Sequence, residues 1–199
     1  MPGKTALSVV AAGSFLLLGC APSAPIAMAE KANPNFRPTA TIQDIMDAEV
    51  DPAADFLWGS VALVSTTAGT EDRRPRTNKQ WETVRNSAIT LVEATNLLVM
   101  PGRVVATEGS RLDPSEVAGI EDPKDIQKAI ESNWTAFVGL AHGLHDAAME
   151  MLKAIDAKDV ARLDGAGERL DQACEQCHRT FWYPNALEPI QTLVPPKPR

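Results

Sequence analysis

The residues that carry the clearest chemistry lie near the C-terminus, in the sequence Cys174-Glu175-Gln176-Cys177-His178. This is a C-x-x-C-H motif, in which the two thiols can form thioethers with porphyrin vinyl groups and the histidine can bind the iron. In a helix, residues three and four positions apart share one face, so Cys174, Cys177 and His178 project towards one object. The motif predicts a single covalent haem c, with His178 as the proximal iron ligand.

Two other kinds of site use the same side chains. A thiol–disulfide oxidoreductase also carries C-x-x-C, but at the start of a helix in a βαβ unit, whereas this pair falls late in a predicted helix. A structural zinc site needs about four nitrogen or sulfur ligands, and beyond the motif the histidines left are His142 and His145. The sequence favours haem over both.

The elements that must position the motif are helices, because apolar residues recur at steps of three and four in successive segments. Thr41 and Asp44 form an N-terminal capping pattern for the first helix. Asp51-Pro52 interrupts it, and a second helical piece is predicted to restart there and run to Val64. We expect a connecting loop from Ala68 to Thr77.

The second helix is predicted to be capped by Asn78 and to end at Pro101-Gly102. Its apolar stripe has the alternating steps of a bundle helix and consists of Trp81, Val84, Ala88, Leu91, Thr95 and Leu98. Residues 103–121 show no sustained period, so we expect a long crossover loop.

The third helix is predicted as one continuous element from Asp122-Pro123 to Ile155, and the fourth as a helix capped by Asp159 that carries both cysteines. The small residues 165–167 of the fourth helix would let a bulky group approach. No alternating strand pattern competes. The predicted fold class is therefore all-α, an antiparallel four-helix bundle with one covalently bound haem, over residues 39–186.

A C-x-x-C-H motif on the last helix of such a bundle resembles the class II cytochromes c, the group of cytochrome c prime and its low-spin, methionine-ligated relatives. The resemblance rests on Cys174, Cys177 and His178 and on the order of helices. It implies electron transfer where a methionine fills the sixth iron position, and binding of small diatomic gases (NO or CO) where that position is open. It also allows a homodimer, and it leaves the redox partner proteins unidentified.

In the low-spin branch of the family the sixth ligand is a methionine from the first helix, and Met46 lies on that helix here. We predict Met46 as this ligand, although a methionine on an apolar stripe also serves as core packing. His142 and His145 on the third helix are the rivals. A peroxidase would need one of them facing an open iron, and we expect no enzyme. Electron transfer with His/Met-ligated iron is the predicted function, and a five-coordinate gas-binding haem module is the alternative.

The N-terminus predicts export. An apolar run from Ala6 to Leu18 is too short to span a bilayer and ends in Leu17-Leu18-Gly19-Cys20, which resembles a bacterial lipobox. Residues 1–20 are therefore predicted to be a signal peptide, with acylated Cys20 as a membrane tether at the periplasmic side of the outer membrane. Cleavage after Ala29, which would give a soluble periplasmic protein, is the alternative.

The composition fits one globular domain with loose ends. Hydrophobic residues make up 44% and charged residues 23% of the 199 residues, which is an ordinary globular balance. A net charge of -7 without basic clusters argues against a nucleic-acid partner. Prolines among small residues predict a flexible tether at 21–38 and a Pro-rich tail at 187–199.

Overall fold

The computed structural model of the protein describes residues 36–67, 69–110, 112 and 119–186. This part of the chain is mostly helical, which confirms the all-α prediction. The predicted signal peptide with Cys20, the alternative cleavage point after Ala29, most of the tether and the tail at 187–199 lie outside the described residues. In the described part, no helix combines the length and the apolar character needed to cross a bilayer.

The first helical segment consists of three successive pieces. These are α1 (Ile42–Ile45), a π-helical turn (Met46–Val50) and α2 (Asp51–Gly59). The predicted capping box is confirmed, because the Thr41 hydroxyl accepts from the Asp44 N–H at 3.0 Å and the Asp44 carboxylate accepts from the Thr41 N–H at 2.8 Å.

The π-helical turn explains how one segment keeps a single buried side. Ile45 and Val50 are both buried, and they lie five positions apart, which is the repeat of a π-helix rather than of an α-helix. Pro52 is the second residue of α2 and lies just after the π-helical turn, to whose carbonyls it cannot donate because it has no N–H. The irregularity therefore precedes the proline, and the predicted break at Asp51-Pro52 was placed too late.

A β-hairpin follows α2, where the sequence analysis predicted the end of a helix and a loop. Strands β1 (Leu63–Thr66) and β2 (Gly69–Asp72) are antiparallel, with Leu63 opposite Asp72 and Thr66 opposite Gly69. Gly69 has a φ of +129°, which favours glycine and allows the tight reversal. The predicted helical continuation to Val64 and the unstructured loop from Ala68 to Thr77 were therefore wrong in part.

Helix α3 (Asn78–Leu98) matches its prediction closely. The cap is Thr77 rather than Asn78, because the Thr77 hydroxyl accepts from the Gln80 N–H at 3.2 Å and the Gln80 side chain accepts from the Thr77 N–H at 3.0 Å. All six residues of the predicted stripe are buried.

The predicted third helix is two helices, α4 (Pro123–Ser132) and α5 (Trp134–Asp156). They are separated at Asn133, whose φ of -133° and ψ of 40° are not helical. Helix α6 (Val160–Phe181) is capped as predicted, with the Asp159 carboxylate accepting from the Arg162 N–H at 3.0 Å.

The core lies between the long helices. Helix α5 packs against α3 and α6, and α2 packs against α3 and α6, so apolar faces of four elements meet. The largest fully buried side chains in this core include Leu57, Leu91, Phe137, Met151, Leu170 and Phe181. The Phe137 and Phe181 rings meet edge to face with centroids 5.6 Å apart.

The described residues of the crossover at 103–121 contain no helix or strand, as predicted, and are fixed at both ends. Near its start, the carbonyls of Val104 and Val105 accept hydrogen bonds from the N–H groups of Ile42 (2.8 Å) and Gln43 (2.9 Å). These bonds satisfy donors that the first turn of α1 leaves without an intrahelical partner. At its end, the Glu121 N–H donates to the Trp182 carbonyl at 2.8 Å.

Candidate functional site

The four predicted haem-binding residues, Met46, Cys174, Cys177 and His178, line one cavity. The free space at this cavity is about 370 Å³, a volume that includes the solvent-filled space at its open side. Its walls come from the π-helical turn and the start of α2, the end of α3, the N-terminal half of α5 and the C-terminal half of α6. They are formed by Met46, Val50, Asp51, Leu98, Phe137, Leu140, Ala141, Leu144, Cys174, Cys177 and His178.

Helix α6 supplies two free thiols to the cavity. Cys177 is buried, and Cys174, one helical turn earlier, is partly buried. Burial raises the pKa of both thiols to about 12, and the carboxylates of Asp51 and Asp171 add to the effect at Cys174. A redox-active dithiol needs a lowered cysteine pKa, so this environment disfavours the oxidoreductase alternative.

His178 follows the cysteines on the same face of α6 and is half-buried. Burial lowers the pKa of its imidazole, against a smaller opposing effect of Glu175, so the ring is neutral at pH 7 and its lone pair is available to a metal. Within the described ranges, no hydrogen bond links the imidazole to another residue. The rings of Trp182 and Tyr183 lie against it, with centroids at 5.7 Å and 6.0 Å.

Met46 reaches the cavity from a different element. It is the first residue of the π-helical turn, is partly buried, and lines the same space as His178 although the two are far apart in sequence. The rivals do not line this cavity: His142 is exposed, and His145 is half-buried with its Nδ1 3.6 Å from an Asp146 oxygen. The structure thus brings Met46, and neither rival, to the cavity of His178.

No family model, curated protein or solved structure matches this chain. The resemblance to the class II cytochromes c therefore stays a prediction. What the site can do follows from its own side chains.

Those side chains fit a haem. The walls are mainly apolar, as a porphyrin requires, and two thiols, a neutral imidazole and a thioether converge on them. Among the described residues, no three His, Cys, Asp or Glu side chains converge as a metal site. A haem iron takes four ligands from its porphyrin, so two protein side chains complete its coordination.

Two further sets of contacts involve α6. The bulky group beside Gly167 is the Trp58 indole of α2, whose Nε1 donates to the Gly167 carbonyl at 3.1 Å. The arginines near the motif are engaged in ion pairs: Arg169 with Glu150, and Arg179 with Glu175 at 2.6 Å.

Sequence reasoning missed most of the cavity wall. The sequence does not single out Phe137, Leu140, Ala141 and Leu144 as wall residues, because helical periodicity does not distinguish packing against a helix from packing against a cofactor. It also missed the hydrogen bond from the Tyr183 hydroxyl to Glu175, at 2.6 Å. The two are eight residues apart across the end of a helix, and no local pattern indicates that contact.

Proposed function

We propose that this protein is a periplasmic mono-haem c-type cytochrome that transfers electrons, with haem c bound to Cys174 and Cys177 and iron ligated by His178 and Met46. The frame would be a four-helix bundle, made of the segment from α1 to α2, α3, α5 and α6. The observation that carries the proposal is the convergence of Met46 with the C-x-x-C-H side chains on one apolar cavity. Met46 comes from a segment far from the motif in sequence, and the rival histidines do not line this cavity.

The protein side chains would each have a distinct task. The two thiols hold the cofactor covalently, so it is retained in either oxidation state. The neutral His178 imidazole donates its lone pair to the iron, and the Met46 thioether favours the ferrous state and so raises the potential. The haem supplies the one-electron redox couple. Leu98, Phe137 and the other apolar wall residues exclude water from it.

The proposed compartment follows from the N-terminal sequence. An export signal ending in a lipobox-like Cys20 supports a lipoprotein at the outer membrane, and cleavage after Ala29 would give a soluble periplasmic form instead. Covalent haem attachment suits that compartment, because the predicted export carries the chain out of the cytoplasm.

The test is the optical spectrum of the protein produced with a haem-maturation system, in ferric, ferrous and carbon monoxide-treated ferrous forms. The wild type should carry covalent low-spin haem and should not bind carbon monoxide. Met46→Ala should become high-spin and bind carbon monoxide. Met149→Ala is the matched control, because Met149 is also a partly buried methionine but does not line the cavity.

Three results would contradict the proposal. A wild type without covalent haem would remove the cofactor assignment. A low-spin Met46→Ala protein would remove Met46 as a ligand. A wild type that is high-spin and binds carbon monoxide would favour the five-coordinate gas-binding module.

A further inference from the structure

The C-terminal end of α6 holds a hydrogen-bonded group beside His178. Both oxygens of the Glu175 carboxylate are engaged: the Tyr183 hydroxyl donates to Oε2 at 2.6 Å and Arg179 Nε donates to Oε1 at 2.6 Å. Tyr183 is buried, with 7% of its surface exposed, whereas Arg179 is exposed. The buried hydroxyl is therefore fixed on a carboxylate that belongs to the haem motif itself.

The same end of the helix surrounds His178. The N–H groups of Trp182 and Tyr183 both donate to the His178 carbonyl, at 2.7 Å and 3.1 Å. The two aromatic rings are inclined to the imidazole by 53° and 64°. Backbone and side chain of His178 are thus both held by Trp182 and Tyr183, the two residues that follow α6.

The crossover loop supports this aromatic pair from outside the helix. The Trp182 carbonyl accepts from the Glu121 N–H, and the Asn185 side chain donates to the Glu121 carboxylate at 2.8 Å. The Tyr183 hydroxyl is therefore held by Glu175, and the backbone around Tyr183 is held by the contacts of Glu121 with Trp182 and Asn185.

We propose that Tyr183 is a positioning residue for His178: its hydroxyl, anchored on Glu175, fixes its ring, and that ring limits rotation of the imidazole. This inference rests on the proposed function, in which His178 is the iron ligand. An imidazole turns about two side-chain bonds, so ring contacts are needed to give it one orientation. The ring plane of a metal-binding histidine is usually set by a hydrogen bond from its second ring nitrogen. Among the described residues no such bond reaches His178, so contacts with the neighbouring rings take this task.

The experiment compares three variants of the haem-loaded protein. Tyr183→Phe keeps the ring and removes the hydroxyl. Glu175→Gln keeps an acceptor for that hydroxyl and removes the negative charge. Thr180→Val is the matched control, because it removes another hydroxyl near the C-terminal end of α6. The Thr180 hydroxyl donates to the Gln176 carbonyl at 2.7 Å, and Thr180 is exposed.

The readouts are the ferric electron paramagnetic resonance spectrum, the midpoint potential and the melting temperature. Tyr183→Phe should broaden the low-spin signal, because the histidine plane takes a range of orientations, and should lower the potential, because the carboxylate loses a donor. Glu175→Gln should raise the potential without broadening the signal. Thr180→Val should change neither.

A Tyr183→Phe protein whose signal and potential equal those of Thr180→Val would overturn the inference, even if its melting temperature fell. That result would leave the haem assignment intact, since the wild-type spectrum reports it separately. A wild-type protein without covalent haem would overturn the proposed function and this inference together.

Discussion

Gly167 is the residue of α6 against which Trp58 of α2 packs, and replacing it by alanine tests how these helices are held. A Cβ at this position would lie 3.2 Å from Trp58 Cδ1 and 3.6 Å from its Nε1. The indole cannot simply retreat, because its Nε1 donates to the carbonyl of the same glycine at 3.1 Å. Gly167→Ala should therefore strain the contact between α2 and α6.

The expected change in the free energy of unfolding has one stabilising and two destabilising contributions. Replacing a helical glycine by alanine gains about 1 kcal/mol of helix propensity. Overpacking against the indole should cost about 1–3 kcal/mol, and weakening its hydrogen bond about 1 kcal/mol. Gly167→Ala should thus lower the free energy of unfolding by about 1–3 kcal/mol. Gly165→Ala is the control, because its Cβ would meet only Arg169 Nη1 at 3.9 Å, and it should raise that free energy by about 1 kcal/mol.

Urea unfolding of both variants, followed by circular dichroism, measures these changes. The double variant Trp58→Phe with Gly167→Ala should recover stability relative to Gly167→Ala, because the smaller ring vacates the space. If Gly167→Ala were as stabilising as Gly165→Ala, the indole would be free to move. The inference that this contact fixes the spacing of α2 and α6 would then be wrong.

Two further predictions concern the ligand side chains. Deleting the exposed Ala48 should convert the π-helical turn to an α-helix and leave Ile45 and Val50 four positions apart on one buried face, so the haem protein should still fold with Met46 at the cavity and should not bind carbon monoxide; binding of carbon monoxide by this variant would contradict this. Because burial lowers the pKa of His178, the haem-free chain should bind a proton on unfolding and lose stability as the pH falls below 6.5. Denaturant titrations should show this loss in the wild type, and His178→Phe should reduce it.

The helices could be predicted where a stripe, a cap and a stop agree, as in α3 and α6. The π-helical turn had a readable signal, the step of five from Ile45 to Val50, but Pro52 offered a more familiar reason for a break. No sequence signal marks the break at Asn133, because the apolar residues Ile130 and Trp134 are four positions apart and continue the helical spacing across it. The hairpin was predicted as helix in part because Val61 and Val64 are three positions apart, which continues the apolar spacing of the preceding helix.

Part of the candidate site could be predicted from the sequence, and part of it depends on tertiary packing. A contiguous motif carries its spacing in the sequence, so Cys174, Cys177 and His178 could be assigned without a structure. Met46 was chosen by helix order and family resemblance, and its approach to the cavity depends on packing between distant segments. Contacts such as that of Tyr183 with Glu175 depend on how the chain turns after α6, which tertiary packing determines.

The two backbone hydrogen bonds between α1 and the crossover loop should determine when the first helical segment folds and when it opens. A four-residue helix has no stability of its own, and the N–H groups of Ile42 and Gln43 find their acceptors only when Val104 and Val105 have arrived. The segment with Met46 should thus dock late and detach early, while α3, α5 and α6 remain packed. In the proposed cytochrome, a local opening of this kind would expose the sixth iron position without unfolding the protein.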